Sequence, residues 1–423
     1  MRLILANPHT HHFGKLVSGE LFRRKSSLKY SYFLTEYCNR PDQLAFYCDG
    51  TRSSFGFLPP LFPVVFTTIE LYVWMIINGL NPFKFRVYWN VEKLDPDTDI
   101  LLDFSKSLVD ISEKKIKNAI WSQYKGIVCI HFTHYFKDIR RLSENFKLIK
   151  NYIIIAENDL IFNGFFKKYF PSVEFVYHLP FAYSNRFFYK KEYKDRTAKC
   201  LALGSIVRVK NSDFLAYFGD QEGLHPMRKT LHLEADSYKK EIDSLILGCE
   251  DPDVSRKINH SDSLITKFFK RNFPYFIIEK IYPPLQIQYF KFDIVDKFNE
   301  YKMFISPEES VGLPSVNVFD GMTCKSAYAG IEDSMYTNIG LIPGVHYIAY
   351  KKDDLEDLIS KIRYYQSRPE ELERIAENGY DFIRKNFNHE NIAKMFWKDL
   401  ERISEQFSEY GKVIPICSFK KLS

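Results

Sequence analysis

The chain has 423 residues, of which 45% are hydrophobic, 17% aromatic and 26% charged, and its formal net charge is +6. That length accommodates two domains with a core each, and so many large apolar side chains exclude a disordered chain. Seven cysteines, Cys38, Cys48, Cys129, Cys200, Cys249, Cys324 and Cys417, show no CxxC pair and no metal-ligand spacing, which fits reduced thiols in a cytoplasm better than a disulfide framework.

Residues 2–6 read as a first strand, an apolar run too short for a signal peptide. Further strands are expected at 85–89, 99–103, 126–131 and 152–156, and the lengths between them suit helical crossovers. The pattern predicts a parallel sheet covered on both faces. Ligands of such sheets bind beyond the carboxyl ends of the strands, which selects three loops. The first, 7–14, carries His9, His11 and His12 and ends at Gly14. Adjacent His11 and His12 do not easily point at one ion, so this loop is expected to line a cleft and face an acceptor rather than hold a metal. The second carries His131 and His134, and the third Glu157, Asn158 and Asp159.

Residues 55–80 are the candidate for membrane insertion. Pro59, Pro60, Pro63, Glu70 and Asn78-Gly79 interrupt the run, so a buried core helix is expected, with a monotopic face dipping into a bilayer as the alternative. Basic clusters at Arg23-Arg24-Lys25, at Lys190-Lys191 with Lys194 and Arg196, and at Lys420-Lys421 are either solvated faces or contacts with an anionic membrane surface.

The polar, basic stretch 184–197 reads as an interdomain linker, after which a fresh strand is expected at 199–203, followed by Gly204 and the cations Arg208 and Lys210. Residues 219–273 are rich in charge and histidine but show no motif. Strands are expected again at 275–279, 301–306, 326–329 and 344–350. Asp353 or Asp354 suits the cap of a helix whose Leu355, Leu358, Ile359 and Ile362 share one face. Pro369 with Glu370 and Glu371 opens another, and a last amphipathic helix spans about 391–407.

Between the strand at 301–306 and the next lies Glu308-Glu309-Ser310-Val311-Gly312-Leu313-Pro314, running on to Asp320. Gly312 suits the turn and Pro314 the first turn of a helix, whose free backbone N–H groups attract phosphate. The carboxylates of Glu309 and Asp320 cannot serve phosphate and are left to accept from hydroxyls. Phosphate flanked by hydroxyls describes a nucleotide sugar.

This stretch resembles the donor-site motif of the retaining GT-B glycosyltransferases of group 1 (family 4-like), whose usual form is E-G-F-G-L-P followed by E-A-M-A-C-G. Glu309 to Pro314 keeps the acid-to-glycine spacing. Asp320-Gly321-Met322-Thr323-Cys324 departs from the second half by Asp for Glu, by Lys325 for the final glycine, and by three extra residues between the acids. The resemblance covers roughly the C-terminal half of the chain.

It implies an α/β GT-B architecture of two doubly wound Rossmann-like domains facing a central cleft. Residues 1–190 would bind the acceptor, 191–387 would bind the nucleotide sugar, and 388–423 would cross back to the first domain. It implies transfer of a sugar, with retention and without a divalent metal or cofactor, to a hydroxyl of a glycan or lipid-linked glycan of the bacterial surface-polysaccharide type, in the cytoplasm or at the inner face of its membrane. Arg208 and Lys210 would stabilise the leaving diphosphate together with the helix end near Gly312 and Leu313, Pro314 would belong to the same donor site, and Glu309 would hold the sugar and Asp320 the ribose. His131 or His134 would orient the sugar or relay a proton, and His11, His12 and Gly14 would lie on the acceptor side. The alternatives are a nucleotide-sugar epimerase or a transferase of unusual donors on the same fold, and a non-catalytic GT-B-like partner. Binding to nucleic acid is not expected, because the basic residues are not interleaved with aromatics in any recognisable module.

Overall fold

The computed structural model describes residues 1–6, 36–37, 39–48, 61–77, 80–103, 120–132, 135–183, 185–207, 209, 211–219, 223–247 and 292–416. The first sheet is built from β1 (Arg2–Ala6), β2 (Leu44–Tyr47), β3 (Arg86–Tyr88), β4 (Asp99–Asp103), β5 (Ile127–His131), β6 (Tyr152–Ala156) and β7 (Val176–His178), in the order β3-β2-β1-β4-β5-β6-β7. Every pairing is parallel. Strands covered on both faces read as continuous apolar runs, and β4 and β5 are buried at every position. Register between β1 and β4 is pinned by Arg2, whose Nε and Nη2 donate to the two carboxylate oxygens of Asp99 at 2.8 and 2.7 Å.

The second sheet holds β8 (Thr197–Ser205), β9 (Ile242–Leu247), β10 (Tyr301–Ile305), β11 (Ala327–Ile331) and β12 (Ile348–Tyr350), in the order β12-β11-β10-β8-β9, again parallel throughout. Its chain order reverses between β8 and β10, which makes that crevice the topological switch point. Two α/β units with parallel sheets are the GT-B architecture expected from the sequence.

Most predicted strands fall within two residues of their places. Those expected at 85–89 and 344–350 are shorter, β3 and β12, and 275–279 lies outside the described residues. Strands β2, β7 and β9 were not anticipated: the first two are only four and three residues long, and β9 lies in the charged stretch without a motif and is buried at only two of its six positions. The helix inside 55–80 is α1 (Leu61–Ile77), with Thr67, Leu71 and Met75 buried and Val65, Ile69 and Ile76 exposed. It is a core helix on one side only. Among the described residues no helix is long and apolar enough to cross a membrane.

The basic stretch before β8 is less exposed than its composition suggests. Arg196 is buried, and its guanidinium donates to Lys191 O, Phe298 O, Lys325 O and Asn299 Oδ1. It is therefore a structural clamp, neither a solvated cation nor a membrane contact. After β12 the chain forms a helix at Leu355–Gln366, capped by Asp354, and another at Pro369–Asn386. A final helix, His389–Tyr410, returns to the first unit. There Tyr37 Oη donates to Ala393 O at 2.7 Å and Tyr177 Oη to Asp399 Oδ2 at 2.7 Å.

Candidate active site

The Glu309 motif folds as a closed turn. Glu309 N donates to Leu313 O at 2.9 Å, Gly312 N returns to Glu309 O at 2.9 Å, and Ser310 N donates to Leu224 O at 2.8 Å. Gly312 has φ +78°, a left-handed conformation that glycine adopts without steric cost. The excursion between β10 and the next helix is tied at its base, where Ser306 and Ser315 hydroxyls lie 2.8 Å apart and Asn317 Nδ2 donates to Ser306 Oγ at 3.2 Å.

The first unit grips this turn. Tyr135 Oη donates to Val311 O at 3.0 Å and Asn158 Nδ2 to Gly312 O at 2.9 Å. Val311 and Leu313 bury their side chains in the apolar cluster that holds Phe165, Phe214 and Leu224. Asn163 caps the short helix Gly164–Tyr169 through Phe166 N at 3.0 Å, and its amide nitrogen lies beside Gly312.

Around the turn lies a cavity of about 320 Å³. Its walls come from the loop after β6, with Asn158, Asp159 and Asn163; from the ends of β10 and β11, with Glu308, Glu309 and Asp333; and from Tyr350 at the end of β12. The cavity therefore occupies the carboxyl ends of strands in both sheets, the place where parallel sheets bind ligands.

Its chemistry is mixed. Glu308 is buried, with Oε1 accepting from Tyr328 Oη at 2.8 Å and Tyr336 Oη at 2.6 Å. Burial pushes its carboxyl up, against the pull of the tyrosine bonds. Glu309 is slightly exposed, with Oε1 4.0 Å from His225 Nε2. Beneath the cavity Arg228 spans the switch point, donating from Nε and Nη2 to Pro307 O at 3.0 and 2.7 Å and from Nη1 to Ser205 O at 3.2 Å.

The structure brings Glu309 and Gly312 together on the cavity wall and corrects other expectations. The helix does not start at Pro314 but at Asn317, as Asn317–Met322, after the tie between Ser315 and Ser306. No helix tip therefore stands at Gly312 and Leu313, and the N–H groups of Glu309, Ser310 and Gly312 are spent inside the protein. Leu313 and Pro314 are buried and do not line the cavity. Asp320, expected on the ribose, is likewise buried away from it, close enough to Cys324 to add to the burial that pushes that thiol up to about 12.

His131, expected to meet the sugar, is also buried and does not line the cavity. Its Nε2 lies 3.5 Å from Glu157 Oε2 at the end of the neighbouring strand. His178 stands at the end of the next strand, where burial lowers its imidazole to about 4 against the opposing influence of Glu157. His11, His12, Gly14, His134, Arg208 and Lys210 lie outside the described residues.

Sequence reasoning missed His225, Arg228 and Tyr350. The first two fall in the stretch without a motif, where His225-Pro226 does carry the signal of a helix start, realised as Pro226–Leu233. Tyr350 ends a correctly placed strand, and the carboxyl-end rule could have selected it.

Residues 314–414 match the model of a family described as Glycosyl transferase family 90, about a quarter of the chain. The matched segment starts at Pro314 and takes in the second half of the motif and the closing helices. A search of curated protein sequences finds no match. Among solved structures, Anabaena HepE in complex with UDP and glucose is 10% identical with a TM-score of 0.49, the alignment covering 95% of this chain and 100% of that one. An α-glucosyltransferase in complex with UDP-glucose and DNA containing an abasic site is 11% identical with a TM-score of 0.44, covering 95% and 98%. A segment that matches a glycosyltransferase family, on two units built from parallel sheets, fits the GT-B architecture.

Proposed function

We propose that this chain moves a sugar from a nucleotide-sugar donor, held in the cavity at the Glu309–Leu313 turn, to a hydroxyl of a growing glycan. The observation that carries the reading is the cavity itself. It lies at the carboxyl ends of both sheets, and the acid and glycine of the donor motif stand on its wall. Glu309 accepts from hydroxyls of the sugar, while Arg208 and Lys210 balance charge developing on the leaving diphosphate. Without a helix tip at Gly312, that balance falls more heavily on cations, and Arg228 adds a fixed positive charge under the cavity floor.

The group 1 likeness implies retention at the anomeric carbon and turnover without a divalent metal. The anomeric proton coupling of freshly formed product, and activity in the presence of a chelator, test these two points. A glycan or lipid-linked acceptor on the side of His11, His12 and Gly14 completes the reading. The exposed Val65, Ile69 and Ile76 of α1, joined by Trp89 whose indole N–H donates to Thr68 at 2.7 Å, supply an apolar side for contact with the inner membrane face.

The test is turnover of nucleotide sugars with a glycan acceptor by wild type and by Glu309→Ala. The reading expects transfer by wild type and loss of at least about a hundredfold in the variant, with the fold intact by circular dichroism. Full activity of Glu309→Ala, or conversion of the donor with no acceptor present, would overturn it. The second outcome would mark an epimerase.

A further inference from the structure

We propose that Tyr350 contacts the donor and helps set what the cavity accepts, its hydroxyl pairing with a hydroxyl-bearing ring of the nucleotide sugar. The inference rests on the reading of the cavity as the donor site.

Four buried tyrosines crowd this end of the second sheet. Three have their hydroxyls paired within the protein: Tyr328 and Tyr336 donate to Glu308, and Tyr347 donates to Ile331 O at 3.4 Å. None of these three lines the cavity. Tyr350 does line it, is 2% exposed, and is the one whose buried hydroxyl has no hydrogen-bond partner among the described residues. Packing alone would be served as well by phenylalanine, since an unpaired buried hydroxyl is a net cost to the fold. Such groups persist where a ligand supplies the missing bond.

The surroundings define the ligand's chemistry. Ile331, Met227 and Met335 offer apolar faces for a ring, while the carboxylates of Asp333 and Asp353 stand on the cavity wall as acceptors. A phenol hydroxyl both donates and accepts. A ring carrying neighbouring hydroxyls meets both kinds of partner, and a donor offers two, the ribose and the transferred sugar.

Tyr350→Phe removes the hydroxyl and nothing else. Titration calorimetry on the full chain would use a panel of nucleoside diphosphates and their glucose and N-acetylglucosamine conjugates. The variant should bind about fivefold to tenfold more weakly than wild type, the loss of one hydrogen bond, with a melting temperature in the absence of ligand equal to or above that of wild type. Weakening toward both diphosphates and conjugates assigns the ribose, and weakening toward conjugates alone assigns the sugar. Tyr347→Phe, whose hydroxyl is paired and away from the cavity, should melt lower and bind unchanged. Unchanged binding by Tyr350→Phe across a panel that wild type binds would overturn this proposal while leaving the donor-site reading standing. A lowered melting temperature without weaker binding would overturn it too. If wild type binds nothing in the panel, the donor-site reading fails and this inference falls with it.

Discussion

Gly312→Ala tests how the two units share the motif turn. Two costs can be worked from the structure. Gly312 has φ +78°, where an alanine is strained by about 1 kcal/mol. An added Cβ would also stand 2.8 Å from Asn163 Nδ2, closer than real contacts allow. Asn163 cannot swing aside freely, because its Oδ1 caps the helix Gly164–Tyr169, and losing a cap costs about 1 kcal/mol. If the turn retreats instead, it loses the bonds from Tyr135 and Asn158, about 1 kcal/mol each. Against these stands about 0.4–1 kcal/mol from the stiffer unfolded chain. The net expectation is a destabilisation of about 2 kcal/mol in urea unfolding, with weakened donor binding because Glu309 rides on the same turn. Adding Asn163→Ala should remove the clash but not the backbone strain, giving a coupling of about 1 kcal/mol in a double-mutant cycle. Gly312→Ala as stable as wild type, or coupling of zero, would refute the clamp.

Three further outcomes are expected. Lys325 holds φ 57° and pairs its Nζ with Glu377 at 2.7 Å, so Lys325→Gly should stay within about 1 kcal/mol of wild type and Lys325→Ala, which keeps the strain and loses the pair, should be the less stable of the two in urea melts. His178 has a folded value of about 4 against an ordinary 6.5; the folded form thus binds fewer protons, and this contribution is complete above pH 6.5 and lost as pH falls toward 4. It amounts to roughly 3 kcal/mol, and His178→Asn should flatten that part of the stability profile. Arg228→Lys should cost about 2–3 kcal/mol of unfolding free energy, because a single ammonium cannot bridge Pro307 O and Ser205 O as the guanidinium fork does.

The parallel strands were legible because burial on both faces leaves an unbroken apolar run, as in Ile127–His131 and Tyr152–Ala156, which the sequence places almost to the residue. Strands of three or four residues, such as Val176–His178, carry too little pattern to be seen. In the motif, the acid and the glycine were readable because Gly312 answers a local backbone demand. Lys325 shows the complementary case, holding at φ 57° a left-handed geometry that glycine adopts without steric cost. Asp320 was misplaced because the helix that starts at Asn317 turns this residue into the core and away from the cavity, a tertiary consequence that spacing alone does not reveal. Arg228 and His225 escaped notice for a similar reason, since their role comes from strand ends distant in sequence, Ser205 and Pro307 for one and Glu309 for the other.

On the proposed function, the cavity between the two sheets holds a nucleotide sugar. A crystal structure of the chain grown with a donor identified by titration tests it most directly. The sugar should lie between Glu309, Asn163 and Tyr350, with its diphosphate directed toward the end of β8. A donor seated on any other surface, with this cavity closed to it, would rule out the cavity as the donor site.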